Sequence, residues 1–94
     1  FIVLGLPDQA PRVLELAESA LLVIGRDPAS GVHIDHPSIS RQHASLSRRG
    51  NAVELRDLGS KNGVQLNGVR VGRDAVALRP SDRVTVGPAS LTLA

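Results

Sequence analysis

The dipeptide Asn67-Gly68 constrains this chain more than any other feature. It sits between two short runs, Val64-Gln65-Leu66 and Val69-Arg70-Val71. A two-residue hairpin turn needs positive φ at both central positions, and Asn-Gly supplies that at least cost. A second hairpin is expected at Arg49-Gly50-Asn51, between Ala44–Ser47 and Ala52–Leu58, where small or apolar residues alternate with polar ones. Chain that reverses this often has no room for long helices.

The rest of the sequence keeps the same rhythm. Phe1–Leu4 opens as a strand closed by Gly5 and Pro7-Asp8. Val32-His33-Ile34 is a brief strand after the turn-rich Asp27–Gly31, and Asp35–Arg41 is a loop containing Pro37. Ala75–Leu78, Arg83–Val86 and Ser90–Leu93 follow, parted by Pro80-Ser81-Asp82 and Gly87-Pro88. Arg12–Ile24 admits two readings. Val13, Ala17, Ala20, Leu21 and Ile24 share one helical face. Equally, Arg12–Leu16 can be a strand, Ala17–Ala20 a turn and Leu21–Ile24 a buried strand. The β character of everything else favours the second. Ten or eleven short strands at this spacing predict a single all-β domain, a sandwich with loops gathered at its ends.

Composition narrows what such a domain does. Ninety-four residues with 41% hydrophobic content give one modest core. Cysteine is absent, so disulfides, thiolate catalysis and Cys-type zinc sites are excluded. No apolar run approaches membrane-spanning length and no signal-peptide pattern opens the chain, so a cytoplasmic place without membrane contact is expected. With no methionine in it, the chain is expected to be a piece excised from a longer protein. Net charge is only +2, and one aromatic, Phe1, leaves no platform for stacking bases, which argues against nucleic acid. Arginine outnumbers lysine ten to one, pointing to a GC-rich, bacterial genome.

Three polar groups punctuate the centre of the chain: Gly25-Arg26, Ser40-Arg41-Gln42-His43, and Gly59-Ser60-Lys61-Asn62-Gly63. Each alone has a plain explanation: a charged strand exit, a loop, a turn. Together Arg26, Ser40-Arg41 and Ser60-Lys61-Asn62 offer three cations, two hydroxyls and one amide. Such a set suits a doubly charged anion carried on a chain that also has amides to bind. Ser40 and His43 do not read as a catalytic pair, because no nucleophile elbow, orienting acid or deep cleft accompanies them. No catalytic residue is assigned. His43, at the start of an apolar strand, is expected to turn inward and bond to backbone. His33-Ile34-Asp35-His36 is not a metal site either: on a strand, His33 and Asp35 share a face and His36 points away. No metal or cofactor is called for.

In this order the groups resemble the forkhead-associated (FHA) family, joined by Leu66-Asn67-Gly68 and the closing stretch Leu78–Gly87, LRPSDRVTVG. The match covers nearly the whole chain. It implies an eleven-stranded β-sandwich that binds phosphothreonine peptides through loops at one end. The resemblance gives Arg26 the phosphate or adjoining peptide, and Ser40 and Arg41 the phosphate oxygens. Ser60 and Lys61 add donors, with Lys61 standing where a hydroxyl residue is common. Asn62 would hold the ligand main chain, while Gly25, His43 and Gly63 keep the loops in shape. Val64 replaces a usual Thr and Ser81 a usual Gly; both bear on loop geometry. The implied partner is a threonine-phosphorylated protein, the product of a Ser/Thr kinase, and the implied preference over phosphoserine requires a small niche for the γ-methyl. The competing expectation is an FHA-fold scaffold that binds a partner, or itself, without phosphate.

Overall fold

The computed structural model of the protein describes all of residues 1–94. Its ordered elements are eleven strands: β1 (Ile2–Gly5), β2 (Arg12–Leu14), β3 (Leu21–Gly25), β4 (Val32–His33), β5 (Ala44–Arg49), β6 (Ala52–Asp57), β7 (Gln65–Leu66), β8 (Val69–Arg70), β9 (Val76–Leu78), β10 (Arg83–Val86) and β11 (Ala89–Leu93). They build two sheets, ordered β2-β1-β11-β10-β7-β8 and β4-β3-β5-β6-β9, packed as an all-β sandwich. No helix is present that is long and apolar enough to cross a membrane.

Period-2 alternation builds the core between the sheets. Ile2 and Leu4 of β1, Val53 and Leu55 of β6, and Val84 and Val86 of β10 all point inward and are buried. Eighteen apolar residues form this cluster. Phe1 is 63% exposed, so the core is entirely aliphatic. Each fully buried Leu or Ile contributes roughly 1.5–3 kcal/mol.

The two expected hairpins are there. Asn67 and Gly68 have φ of 51° and 82°, the double positive pair of a tight type I′ turn. Gly50 has φ 60°, and Arg49 pairs with Ala52 across it. The ambiguous stretch is two strands and a turn. The helical reading fails, and β2 ends at Leu14 rather than Leu16. Leu16 drops into the core at 2% exposure. Ser19 takes φ 62°, and Ala20 N–H closes the turn on the Ala17 carbonyl at 3.0 Å. Arg48 on β5 fixes this segment from afar. Its backbone N–H donates to Ala20 O at 3.0 Å, and its guanidinium donates to Leu16 O and Gly50 O, both at 2.7 Å.

One connection is unusual. β3 and β4 pair in parallel, Ile24 with Val32 and Gly25 with His33, although only residues 26–31 join them. Parallel neighbours normally need a far longer crossover. Here the loop is braced within itself: Asp27 Oδ1 accepts from Ala29 N–H at 2.9 Å, and Asp27 O accepts from Ser30 N–H at 2.9 Å. This compact loop carries Arg26.

The closing stretch has its own lock. Asp82 Oδ2 accepts from Arg79 N–H at 2.8 Å, and Asp82 Oδ1 accepts from Asn67 Nδ2 at 2.9 Å. Asn67 Oδ1 in turn accepts from Arg83 N–H at 2.9 Å. The Asn67 side-chain bond, then the Arg79 backbone bond, hold the exposed Asp82 carboxyl below its ordinary 3.8.

Candidate functional site

Where β3 ends, backbone approach decides the residue type. A Cβ on Gly25 would lie 1.9 Å from the Arg41 carbonyl oxygen, so no side chain fits. The close pass lets Arg26 N–H donate to Ser40 O at 3.0 Å and Asp27 N–H donate to Arg41 O at 3.2 Å. The Arg26 loop and the Ser40-Arg41 loop are thus stitched side by side. Both arginines are exposed and, with Asp27, Pro28 and Asp35, line an open cavity of about 400 Å³. Arg48 is the one arginine whose guanidinium is spent on hydrogen bonds inside the fold. The Arg26 and Arg41 guanidiniums make no hydrogen bond within the fold.

His43 joins these loops to the third. It is fully buried. Nδ1 accepts from Ser40 N–H at 3.0 Å, which leaves Nε2 to carry the proton and donate to Gly63 O at 2.8 Å. Its backbone N–H donates to Ile24 O at 2.8 Å and its carbonyl accepts from Leu58 N–H at 3.0 Å. The imidazole thereby ties two of the polar loops together, while the backbone of the same residue fixes the ends of β3 and β6.

The 59–63 turn closes on itself. Asp57 Oδ1 accepts from Ser60 N–H at 2.8 Å, and Ser60 Oγ accepts from Gly63 N–H at 2.9 Å. Gly59 and Gly63 supply φ of 81° and 82°. Lys61 N–H is turned outward and donates to Ser40 Oγ at 3.0 Å. With its oxygen oriented by that bond, the Ser40 hydroxyl keeps its own proton to give. Asn62 Nδ2 donates to Ser38 O at 2.9 Å, which pins the amide and leaves its carbonyl oxygen uncommitted.

The sequence-derived residues therefore meet in two linked groups. Arg26 and Arg41 share one cavity, while Ser60, Lys61 and Asn62 lie outside its lining. Ser40 is the hinge between the groups, tied to Arg26 through its carbonyl and to Lys61 through its hydroxyl. Sequence reasoning missed four neighbours of these residues. Ser38 receives Asn62. Asp57 caps the Ser60 turn, and its position three residues before Ser60 is the signal that was there to read. Asp35 brings a carboxylate to the arginine cavity. Arg70 lies against Gly63.

Fold and site together describe an all-β sandwich whose three polar loops are joined by hydrogen bonds through Ser40 and His43. The chain belongs to the FHA domain family, whose model matches residues 22–87. It is 36% identical over 63 residues to the oxoglutarate dehydrogenase inhibitor of Corynebacterium diphtheriae, covering 67% of this chain and 43% of that protein. The FHA domain of CT664 from Chlamydia trachomatis superposes with a TM-score of 0.87 at 26% identity, covering 97% of this chain and 93% of that one. Mycobacterium tuberculosis EmbR, seen with a low-affinity phosphopeptide, gives 0.80 at 27% identity, over 97% of this chain and 23% of that one. The chain spans less than half the length of the first curated relatives it matches.

Proposed function

We propose that this domain recognises phosphothreonine in a partner protein and has no catalytic activity of its own. The observation that carries the reading is the junction at Ser40. Arg26 N–H reaches its carbonyl and Lys61 N–H its hydroxyl oxygen, so three loops converge on one group with a proton to donate. A phosphate seated there accepts from Ser40 Oγ–H and meets the charges of Arg26 and Arg41, with Ser60 and Lys61 at the far rim. The Asn62 carbonyl oxygen accepts from a ligand main-chain N–H, and His43, Gly25 and Gly63 hold the loops in place. EmbR, part of which shares this fold and which is seen with a phosphopeptide, supports the assignment.

Magnitudes agree. A phosphothreonine carries about −1.5 to −2 charge near neutral pH. Each charge-assisted hydrogen bond contributes roughly 1.5–3 kcal/mol, so three or four sustain micromolar affinity, about −8 kcal/mol, after the costs of association. Bare threonine loses these contacts together. The partner is thus a substrate of a Ser/Thr kinase, in a phosphorylation-dependent signalling contact that uses neither nucleic acid nor membrane. Calorimetric titration with matched phosphorylated and unphosphorylated threonine peptides tests the reading, and equal affinities defeat it.

A further inference from the structure

Arg70 sits on β8, the edge strand of the six-stranded sheet, yet its side chain reaches back over the 59–63 turn. A Cβ on Gly63 would meet Arg70 Nε at 2.8 Å, Cζ at 3.0 Å and a terminal guanidinium nitrogen at 3.1 Å. The guanidinium therefore rests against the backbone of the residue that follows Asn62. At the same residue, His43 Nε2–H holds the Gly63 carbonyl at 2.8 Å. Gly63 is thus contacted by both the His43 imidazole and the Arg70 guanidinium. Arg70 itself is exposed, and its donors, unlike those of Arg48, are not spent inside the fold. The carboxylate that caps the turn, Asp57, accepts from Ser60 N–H.

This positions a further free cation against the residue that follows Asn62, outside the lining of the Arg26–Arg41 cavity. Neighbouring residues lie about 3.8 Å apart, and an extended ligand advances roughly 3.3 Å per residue. A peptide held at Asn62 brings a residue one or two positions further along opposite Arg70. Resting on the phosphopeptide reading above, we infer that Arg70 is a specificity residue: it selects a ligand with Asp or Glu on the side of the phosphothreonine that passes Gly63. The chemistry is a partly exposed guanidinium–carboxylate pair, whose planar geometries match.

The test uses the 94-residue chain with phosphothreonine peptides in which each flanking position, about four to either side, is in turn Asp, Ala or Lys. At one or two positions on a single side, Asp is expected to bind about two- to fivefold tighter than Ala, and Lys more weakly. That ratio should shrink in high salt. Arg70→Ala should erase it while leaving the all-Ala phosphopeptide within about twofold, and Arg70→Lys should restore most of it. The inference is overturned if no position shows the preference, or if it survives Arg70→Ala. It is also overturned if Arg70→Ala weakens every peptide equally, since Arg70 then only covers Gly63. Failure of every phosphopeptide to bind the unaltered chain sinks the underlying reading, and this inference with it.

Discussion

Lys61 donates its backbone N–H to the hydroxyl oxygen of Ser40 at 3.0 Å, across 21 residues of sequence. That bond couples the turn bearing Asn62 to the loop bearing Arg41, and it orients the one hydroxyl proton the site has to offer at its centre. Several consequences can be measured.

Gly25 cannot gain a methyl group. The new Cβ would meet the Arg41 carbonyl at 1.9 Å, and backbone cannot rotate away as a side chain tip can. Gly25→Ala is expected to destabilise the fold by about 1–3 kcal/mol. It should also weaken phosphopeptide binding beyond what the lost stability explains, because Arg26 and Arg41 part. Thermal unfolding and calorimetry on one preparation check both effects.

His43→Ala strands two polar groups, Ser40 N–H and the Gly63 carbonyl, and opens a cavity at a fully buried position. An unsatisfied buried group costs about 1–3 kcal/mol, so a loss of at least 2 kcal/mol is expected in urea unfolding. A loss near zero would mean water takes over both bonds.

The Arg26 guanidinium makes no hydrogen bond within the chain, so its removal should leave the fold intact. Arg26→Ala is expected to keep the wild-type circular dichroism and melting temperature while binding falls tenfold or more, about 1.4 kcal/mol. Arg26→Lys should recover only part, since an ammonium lacks the two-pronged geometry. Collapse of the circular dichroism in Arg26→Ala would instead give that residue a structural role.

Asp82 gives the fold an acid-sensitive lock. Its carboxyl is held below 3.8 by Asn67 first and Arg79 second. A depressed folded value adds stability above the unfolded one, and that increment is lost as pH falls through the lower, folded value. Stability should therefore decline below about pH 4, and Asp82→Ala should flatten that part of the profile. Denaturant midpoints between about pH 2 and 5 report it.

How far these features could be read in advance depended on their range along the chain. The Asn67-Gly68 and Gly50-Asn51 turns were legible because positive φ is a local demand with few residue answers. Arg12–Ile24 was ambiguous because its apolar spacing fits both periods. What decides it is Arg48, bonded to Leu16 and Ala20 from another strand, and nothing local announces that. The inward role of Leu16, beyond the end of β2, was hidden for the same reason. In the site, residue types and their order were visible. That Asn62 turns back to Ser38, and that Arg70 returns over Gly63, are long-range facts that only the folded chain displays.

The most direct measurement is a four-way titration: wild-type chain and Ser40→Ala, each against one threonine peptide with and without its phosphate. For the wild type, micromolar binding of the phosphopeptide and none of the bare peptide is expected. The affinity should fade as pH drops below about 6, where the phosphate loses its second charge. Ser40→Ala should lose about tenfold or more on the phosphopeptide alone. Equal binding of both peptides by the wild type, or a Ser40→Ala variant that binds the phosphopeptide undiminished, would contradict the account.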